Sequence, residues 1–206
     1  MRQIKKEEIP QIAKMLTSTF SNYEQILYLF EEMQQKDFIL SKVFEGQMRA
    51  IFDKGDIFIT EDLKAVCYGF STKKTSLIKL LIMSGLYTYK YYRQLPKNDY
   101  KTLLTNTKKA SETNNLFWQN KYVKKPYYYI MTIGIDPSMQ GKGVLKQLLS
   151  PIIEQCKKDN MPMIIETHRK INVYIYEKFG FQLVRTFHSK DNGLSKYCMV
   201  RYSNIS

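Results

Sequence analysis

A chain of 206 residues, 44% hydrophobic and 25% charged, has the proportions of one folded domain with a sizeable core. The formal charge is +13, and residues 73–125 hold twelve Lys or Arg against Asp99 and Glu112, a local balance of +10 that suits a solvated surface or a phosphate-bearing partner. A membrane span needs about 20 apolar residues, and the longest largely apolar run is only Leu80 to Leu86.

The charged start, Met1 to Glu7, has no apolar segment behind it, so no secretory leader and no membrane partner are expected, and the cytoplasm is the expected location. Cys67, Cys156 and Cys198 lie far apart in apolar contexts and read as buried hydrophobes rather than a disulfide framework. Neither His168 nor His188 has a cysteine beside it, so no metal site is expected.

In chain order, Arg2 to Lys5 reads as a short strand, and Ile9, Ile12, Ala13, Leu16 and Phe20 stand at helical spacing in a helix over Glu7 to Phe20. Two further helices are expected over Asn22 to Gln35 and Leu40 to Phe52, then strands at Asp56 to Thr60 and Ala65 to Ser71. Residues 73–122 break this rhythm, with helices over Ser76 to Tyr92 and Asp99 to Asn114 punctuated by Pro96, and are treated as a basic, aromatic-rich insertion in a single domain, 1–206. Its Tyr87, Tyr89, Tyr91, Tyr92, Tyr100, Phe117, Trp118 and Tyr122 suit a helical lid with an aromatic lining.

From Pro126 the strand signal returns in "YYYIMTIGID", followed by a glycine loop and a helix striped by Val144, Leu145, Leu148, Leu149, Ile152, Ile153 and Cys156. Pro151 inside that stripe removes a backbone hydrogen bond, so a kink is expected. Met163 to Glu166 is a strand, Lys170 to Phe179 a helix stopped at Gly180, and two strands close the chain. This order suggests a mixed sheet with helices on both faces.

The loop Gln140-Gly141-Lys142-Gly143 sits where a strand ends and a helix begins. Free N–H groups at a helix N-terminus attract an anion, and glycines let a phosphate approach the backbone, although the same glycines also serve a plain strand-to-helix turn. The spacing fits neither GxxxxGK[ST] nor GxGxxG.

"IGIDPSMQGKGVLKQLL" resembles the acetyl-CoA-binding motif of the GNAT superfamily of N-acetyltransferases, with Gln140 and Gly143 in the first two key positions. "IIETHRKINVYIYEKFGF" resembles the closing motif of that family, a strand and then a short helix carrying Tyr-Glu-Lys before Gly-Phe. Over about the last 80 residues the similarity is greatest to puromycin N-acetyltransferase-type members, through Pro151, Glu166-Thr167, Asn172-Val173, Tyr176-Glu177 and Cys198-Met199.

The resemblance implies an α/β acyl-CoA N-acyltransferase fold, with a mixed, mostly antiparallel twisted sheet and the helical insertion between its third and fourth strands. It implies acetyl-CoA as co-substrate, its pyrophosphate held by Gly141, Lys142, Gly143, Val144, Leu145 and Lys146, and its pantetheine arm paired with Ile133, Gly134 and Ile135. Gln140 and Asn172 complete that set, and an N–H near Ile135 polarises the thioester carbonyl. Two positions depart from the family pattern: Leu145 replaces a Gly or Ala, and Arg169 replaces an Asn.

By the same resemblance Tyr176 is the acid facing the departing thiolate. Glu166 is the base, directly or through water, or else a structural partner of Arg169 or Lys170. His168 reads as a loop imidazole at the surface. The implied activity is acetyl transfer to a primary amine of a small molecule by direct attack in a ternary complex, by a monomer or homodimer. The alternatives are a protein N-terminal or lysine acetyltransferase, a cofactor-binding sensor, and a basic nucleic-acid- or ribosome-associated module on the same scaffold, although nucleic acid is not the expected partner.

Overall fold

In a computed structural model of the protein, residues 1–30, 32–113, 115–190 and 193–203 are described. Strands β1 (Arg2–Gln3), β2 (Asp56–Ile59), β3 (Ala65–Ser71), β4 (Tyr128–Ile135), β5 (Met163–Thr167), β6 (Gln182–His188) and β7 (Ser195–Arg201) form one sheet in the order β1-β2-β3-β4-β5-β7-β6. All pairings are antiparallel except that of β4 with β5. The helices are α1 (Ile9–Phe20), α2 (Glu24–Phe30), α3 (Lys36–Ile51), α4 (Leu77–Tyr92), α5 (Lys97–Ala110), α6 (Val144–Lys158) and α7 (Lys170–Glu177). This is the expected mixed, mostly antiparallel sheet with helices on both faces, and α4 and α5 are inserted between β3 and β4. Glu31 and Asn114, inside two of the expected helices, lie outside the described residues.

Alternation in the strands divides the core in two. In β3, Val66, Tyr68 and Phe70 face the side covered by α1 and α3, whereas Ala65 and Cys67 face the side covered by α6 and α7. Ile12 and Leu16 of α1 fill the first core, and Leu148, Leu149, Ile152 and Cys156 of α6 fill the second. The three cysteines are buried and free, as expected. Gly134 lets α1 approach β4: a Cβ there would lie 2.2 Å from Leu16 Cδ2. Gly134→Ala is therefore expected to cost about 1–3 kcal/mol in urea unfolding, and an unchanged midpoint would mean that α1 moves freely on the sheet.

Several boundaries differ from expectation, among them the start of α3 at Lys36 instead of Leu40 and the end of α7 at Glu177 instead of Phe179. β1 is shorter, ending at Gln3, although Ile4 N–H still donates to Ile57 O at 3.0 Å. Lys6–Glu8 form a 3-10 turn before α1. α6 runs through Pro151 without interruption. Pro151 is exposed, so water can serve the Gln147 carbonyl that lacks its helical donor. The insertion docks on the rest of the chain through Asp99, whose carboxylate accepts from the N–H groups of Gln34 and Gln35, and through Asn106, which donates to Tyr28 O. Among the described residues, no helix is long and apolar enough to cross a membrane.

Candidate active site

The parallel strands β4 and β5 pair over only three positions, Tyr128 with Met163, Tyr129 with Ile164 and Ile130 with Ile165. Beyond Ile130, β4 continues to Ile135 beside β3 alone, which opens a gap on its other edge. The register shift at Tyr68/Gly69 leaves Met131 as the extra residue of a bulge at the mouth of this gap. Asp136 N–H donates to Lys64 O at 2.8 Å, so by alternation the N–H groups of Ile133 and Ile135 point away from β3 and into the gap.

Two cavities, of about 710 and 350 Å³, flank the gap. The larger is lined by Ile133, Ile135, Gln140, Gly141, Gly143, Val144, Leu145 and Asn172, all from the expected cofactor set. Gly134, Lys142 and Lys146 are not in that lining: Gly134 faces α1, and the two lysines are exposed. Gly141 and Gly143 adopt φ values of 76° and 73°, in the left-handed region that favours glycine. Gly143, the residue before α6, has no side chain to cap the helix, so among the described residues the N–H groups of its first turn stay open at the positive end of the helix dipole. Leu145 packs on the second core and also borders the cavity.

The smaller cavity is walled by Phe20, Tyr23, Phe30, Phe44 and Tyr129, with Glu166, His168 and Lys196 as its carboxylate, imidazole and ammonium groups. The expected aromatic lid is thus placed elsewhere. Tyr87, Tyr89 and Tyr100 of the insertion are exposed, and the aromatic wall comes from α1 to α3 and β4. The insertion reaches this site through Trp118, Thr113 and Asn115 only at its C-terminal end.

Glu166 does not pair with Arg169 or Lys170. Its Oε1 accepts from the Trp118 indole N–H, and its Oε2 lies 3.3 Å from Nζ of the buried Lys196. Arg169 instead donates to Asn22 O at 2.7 Å and stacks on the Tyr23 ring at 4.8 Å. Asn172 Nδ2 donates to Thr167 Oγ1, which also meets the Tyr23 hydroxyl at 3.0 Å.

Tyr176 lies four residues after Asn172 on the same face of α7, and both residues line both cavities. Its backbone carbonyl accepts from Phe181 N–H while Glu177 O accepts from Gly180 N–H, which closes the helix at the expected glycine. Burial pushes the Tyr176 phenol well above its ordinary range, and Tyr23 adds to the effect. The hydroxyl therefore carries its proton.

Sequence reasoning missed Tyr23 and Lys196. Lys196 had a signal, because in β7 it alternates with Cys198 and Val200 and so occupies an inward position. Tyr23 had none. His168, read as a surface residue, is half-buried in the cavity wall. Among the described residues no group of His, Cys, Asp and Glu is arranged to hold a metal.

Residues 109–181 match the model of the acetyltransferase (GNAT) family. An uncharacterized N-acetyltransferase of Schizosaccharomyces pombe is 23% identical over 203 residues, 93% of this chain and 78% of that protein. The N-alpha-acetyltransferase RimI of Mycobacterium tuberculosis is 30% identical over 78 residues, 37% of this chain and 49% of that protein. Among solved structures, a histone acetyltransferase HPA2 and related acetyltransferase from Corynebacterium glutamicum superposes with a TM-score of 0.66 at 16% identity, covering 100% of this chain and 96% of that one.

Proposed function

We propose that this chain, a GNAT-family acetyltransferase, transfers the acetyl group of acetyl-CoA to the primary amine of a small molecule, by direct attack in a ternary complex. The observation that carries the reading is that two cavities share part of their walls. Phe20, Tyr23, Ile133, Asn172 and Tyr176 belong to both linings. A donor in one cavity and an acceptor in the other would bring their reacting atoms together there, which lowers the entropic part of the barrier.

In this reading the larger cavity takes acetyl-CoA. The open N–H groups after Gly141 and Gly143 receive the pyrophosphate, with Lys142 and Lys146 adding positive charge from outside the lining. The pantetheine arm pairs with the free edge of β4 at Ile133 and Ile135, alongside Gly134, as an added strand would. The Ile135 N–H polarises the thioester carbonyl, and the Tyr176 hydroxyl donates to the sulfur as charge develops on it. The neutral amine attacks the carbonyl carbon, the C–N bond forms, and the C–S bond breaks with its electron pair on sulfur.

The smaller cavity, at about 350 Å³ with aromatic walls, suits an apolar primary amine of modest size. Glu166 would draw the ammonium form of that amine toward the site and orient it, and its place there is held by Trp118 and Lys196. A second reading, with a peptide α-amine as acceptor, takes its support from the 78-residue similarity to RimI.

The test is the thermal midpoint with acetyl-CoA and, separately, with ATP as a control for anion binding to a basic surface. A ligand at 100 times its Kd stabilises the fold by about 2.7 kcal/mol, which for a chain of this size raises Tm by about 5–10 °C. A matching rise with ATP would reduce the larger cavity to a general anion site. Acetyl transfer to phenethylamine and to a short peptide with a free α-amine then separates the two acceptor readings.

A further inference from the structure

We propose that His168 is the base of this site: its Nε2 takes the proton from the acceptor ammonium while its Nδ1 is tied to the Ser195 carbonyl. The proposal rests on reading the smaller cavity as the acceptor site. It assigns catalysis to a residue that the sequence placed at the surface.

The tautomer follows from the hydrogen bond. His168 Nδ1 lies 2.8 Å from the Ser195 carbonyl oxygen, which has no proton to give, so Nδ1 must carry one and donate it. In the neutral ring Nε2 then holds a bare lone pair. Nε2 has no partner among the described residues, and it is not one of the buried side-chain atoms left unpartnered. Nε2 is thus reached by solvent, and with His168 in the lining we infer that it opens on the cavity.

The ring is also fixed in place. Its edge meets the Tyr23 ring at 87° with centroids 6.4 Å apart, and the His168 backbone N–H donates to the Tyr23 hydroxyl at 3.0 Å. The titratable and charged groups that face it are Tyr23 from the α1–α2 turn, Glu166 of β5 and Lys196 of β7. Burial lowers the imidazole pKa below its ordinary 6.5 and Lys196 pushes the same way, against the opposite pull of the Ser195 carbonyl and Glu166. The ring is thus neutral and able to accept a proton at pH 7.

Glu166 is less free to act. Each of its oxygens already has a donor, Trp118 on one and Lys196 on the other. The proton balance closes with His168 in the role of base. The acceptor nitrogen loses two protons in becoming an amide: the first passes to Nε2 before attack and then to water. The second goes from the nitrogen to the sulfur as the C–S bond breaks, while the Tyr176 hydroxyl keeps its proton and donates a hydrogen bond to that sulfur, so coenzyme A leaves as a thiol.

Only two histidines are present, so in His188→Gln protein labelled with 15N-histidine every imidazole signal belongs to His168. The expected spectrum has the proton on Nδ1 and a titration midpoint below 6.5. With acetyl-CoA and phenethylamine, kcat/KM should rise with pH through that midpoint. In His168→Gln and His168→Ala that limb should vanish, with a loss of about 100-fold at pH 7 that shrinks toward the pKa of the amine, where neutral amine is plentiful. Unchanged Tm values would show that both variants fold.

An Nε2–H tautomer, or variants that keep the wild-type rate and pH limb, would overturn the proposal and leave the acceptor cavity standing. Wild-type protein that acetylates neither phenethylamine nor the peptide would instead overturn the acceptor reading, and His168 as base with it.

Discussion

Replacing Tyr176 by Phe is expected to lower kcat for acetyl transfer about 100-fold while acetyl-CoA still raises the melting temperature. Tyr176 is 8% exposed, and its ring packs on Phe181 at a centroid distance of 6.1 Å. Phe fills the same space, so the substitution removes one oxygen and little else. Because burial raises the phenol pKa, that oxygen is a hydrogen-bond donor throughout the reaction. A donor that acts on the charge developing on sulfur stabilises the transition state more than the bound thioester, so the loss should fall on kcat with KM almost unchanged. A variant with wild-type kcat would exclude Tyr176 from the chemistry. It would then be one buried aromatic among sixteen tyrosines.

Glu166→Gln should destabilise the fold by about 3 kcal/mol, because it leaves an ammonium without its counter-charge in the interior. The Lys196 side chain is 3% exposed and that of Glu166 21%, so the burial penalty falls mainly on the lysine. The Asn115 carbonyl still accepts from Lys196 Nζ at 3.3 Å, which keeps the figure at the low end for a broken buried pair. At about 2–4 °C per kcal/mol for a chain of this length, Tm should fall by about 6–12 °C. Glu166→Gln combined with Lys196→Met removes both charges and should recover much of the loss. A double-mutant cycle by urea unfolding measures the coupling, and a value under about 0.5 kcal/mol would mean that the two charges ignore each other. Activity lost in Glu166→Gln therefore has to be compared at equal folded fraction before any of it is assigned to catalysis.

The order of elements was legible because its causes are local. Period-2 burial separates Val66, Tyr68 and Phe70 from Ala65 and Cys67, and helical spacing gathers Leu148, Leu149, Ile152 and Cys156 on one face of α6. The glycine loop and the stop at Gly180 are local as well, since each depends on a backbone angle that neighbouring residues cannot supply. Pro151 costs α6 one backbone hydrogen bond, and the exposed side of the helix lets water serve the carbonyl that it frees.

By itself the sequence determined the strands, the helices, the glycine loop and the placing of Tyr176 beside Asn172 on one helical face. Only the tertiary structure decided who meets whom across the site. Glu166 takes Trp118, 48 residues away, and Lys196 of β7 instead of its near neighbours, because β5 lies between β4 and β7 in the sheet. Arg169 is drawn to the α1–α2 turn, and His168 is turned onto the Ser195 carbonyl. Alternation along a strand tells which face a side chain takes. Which strand lies alongside, and which loop closes over that face, are set by contacts far apart in the chain.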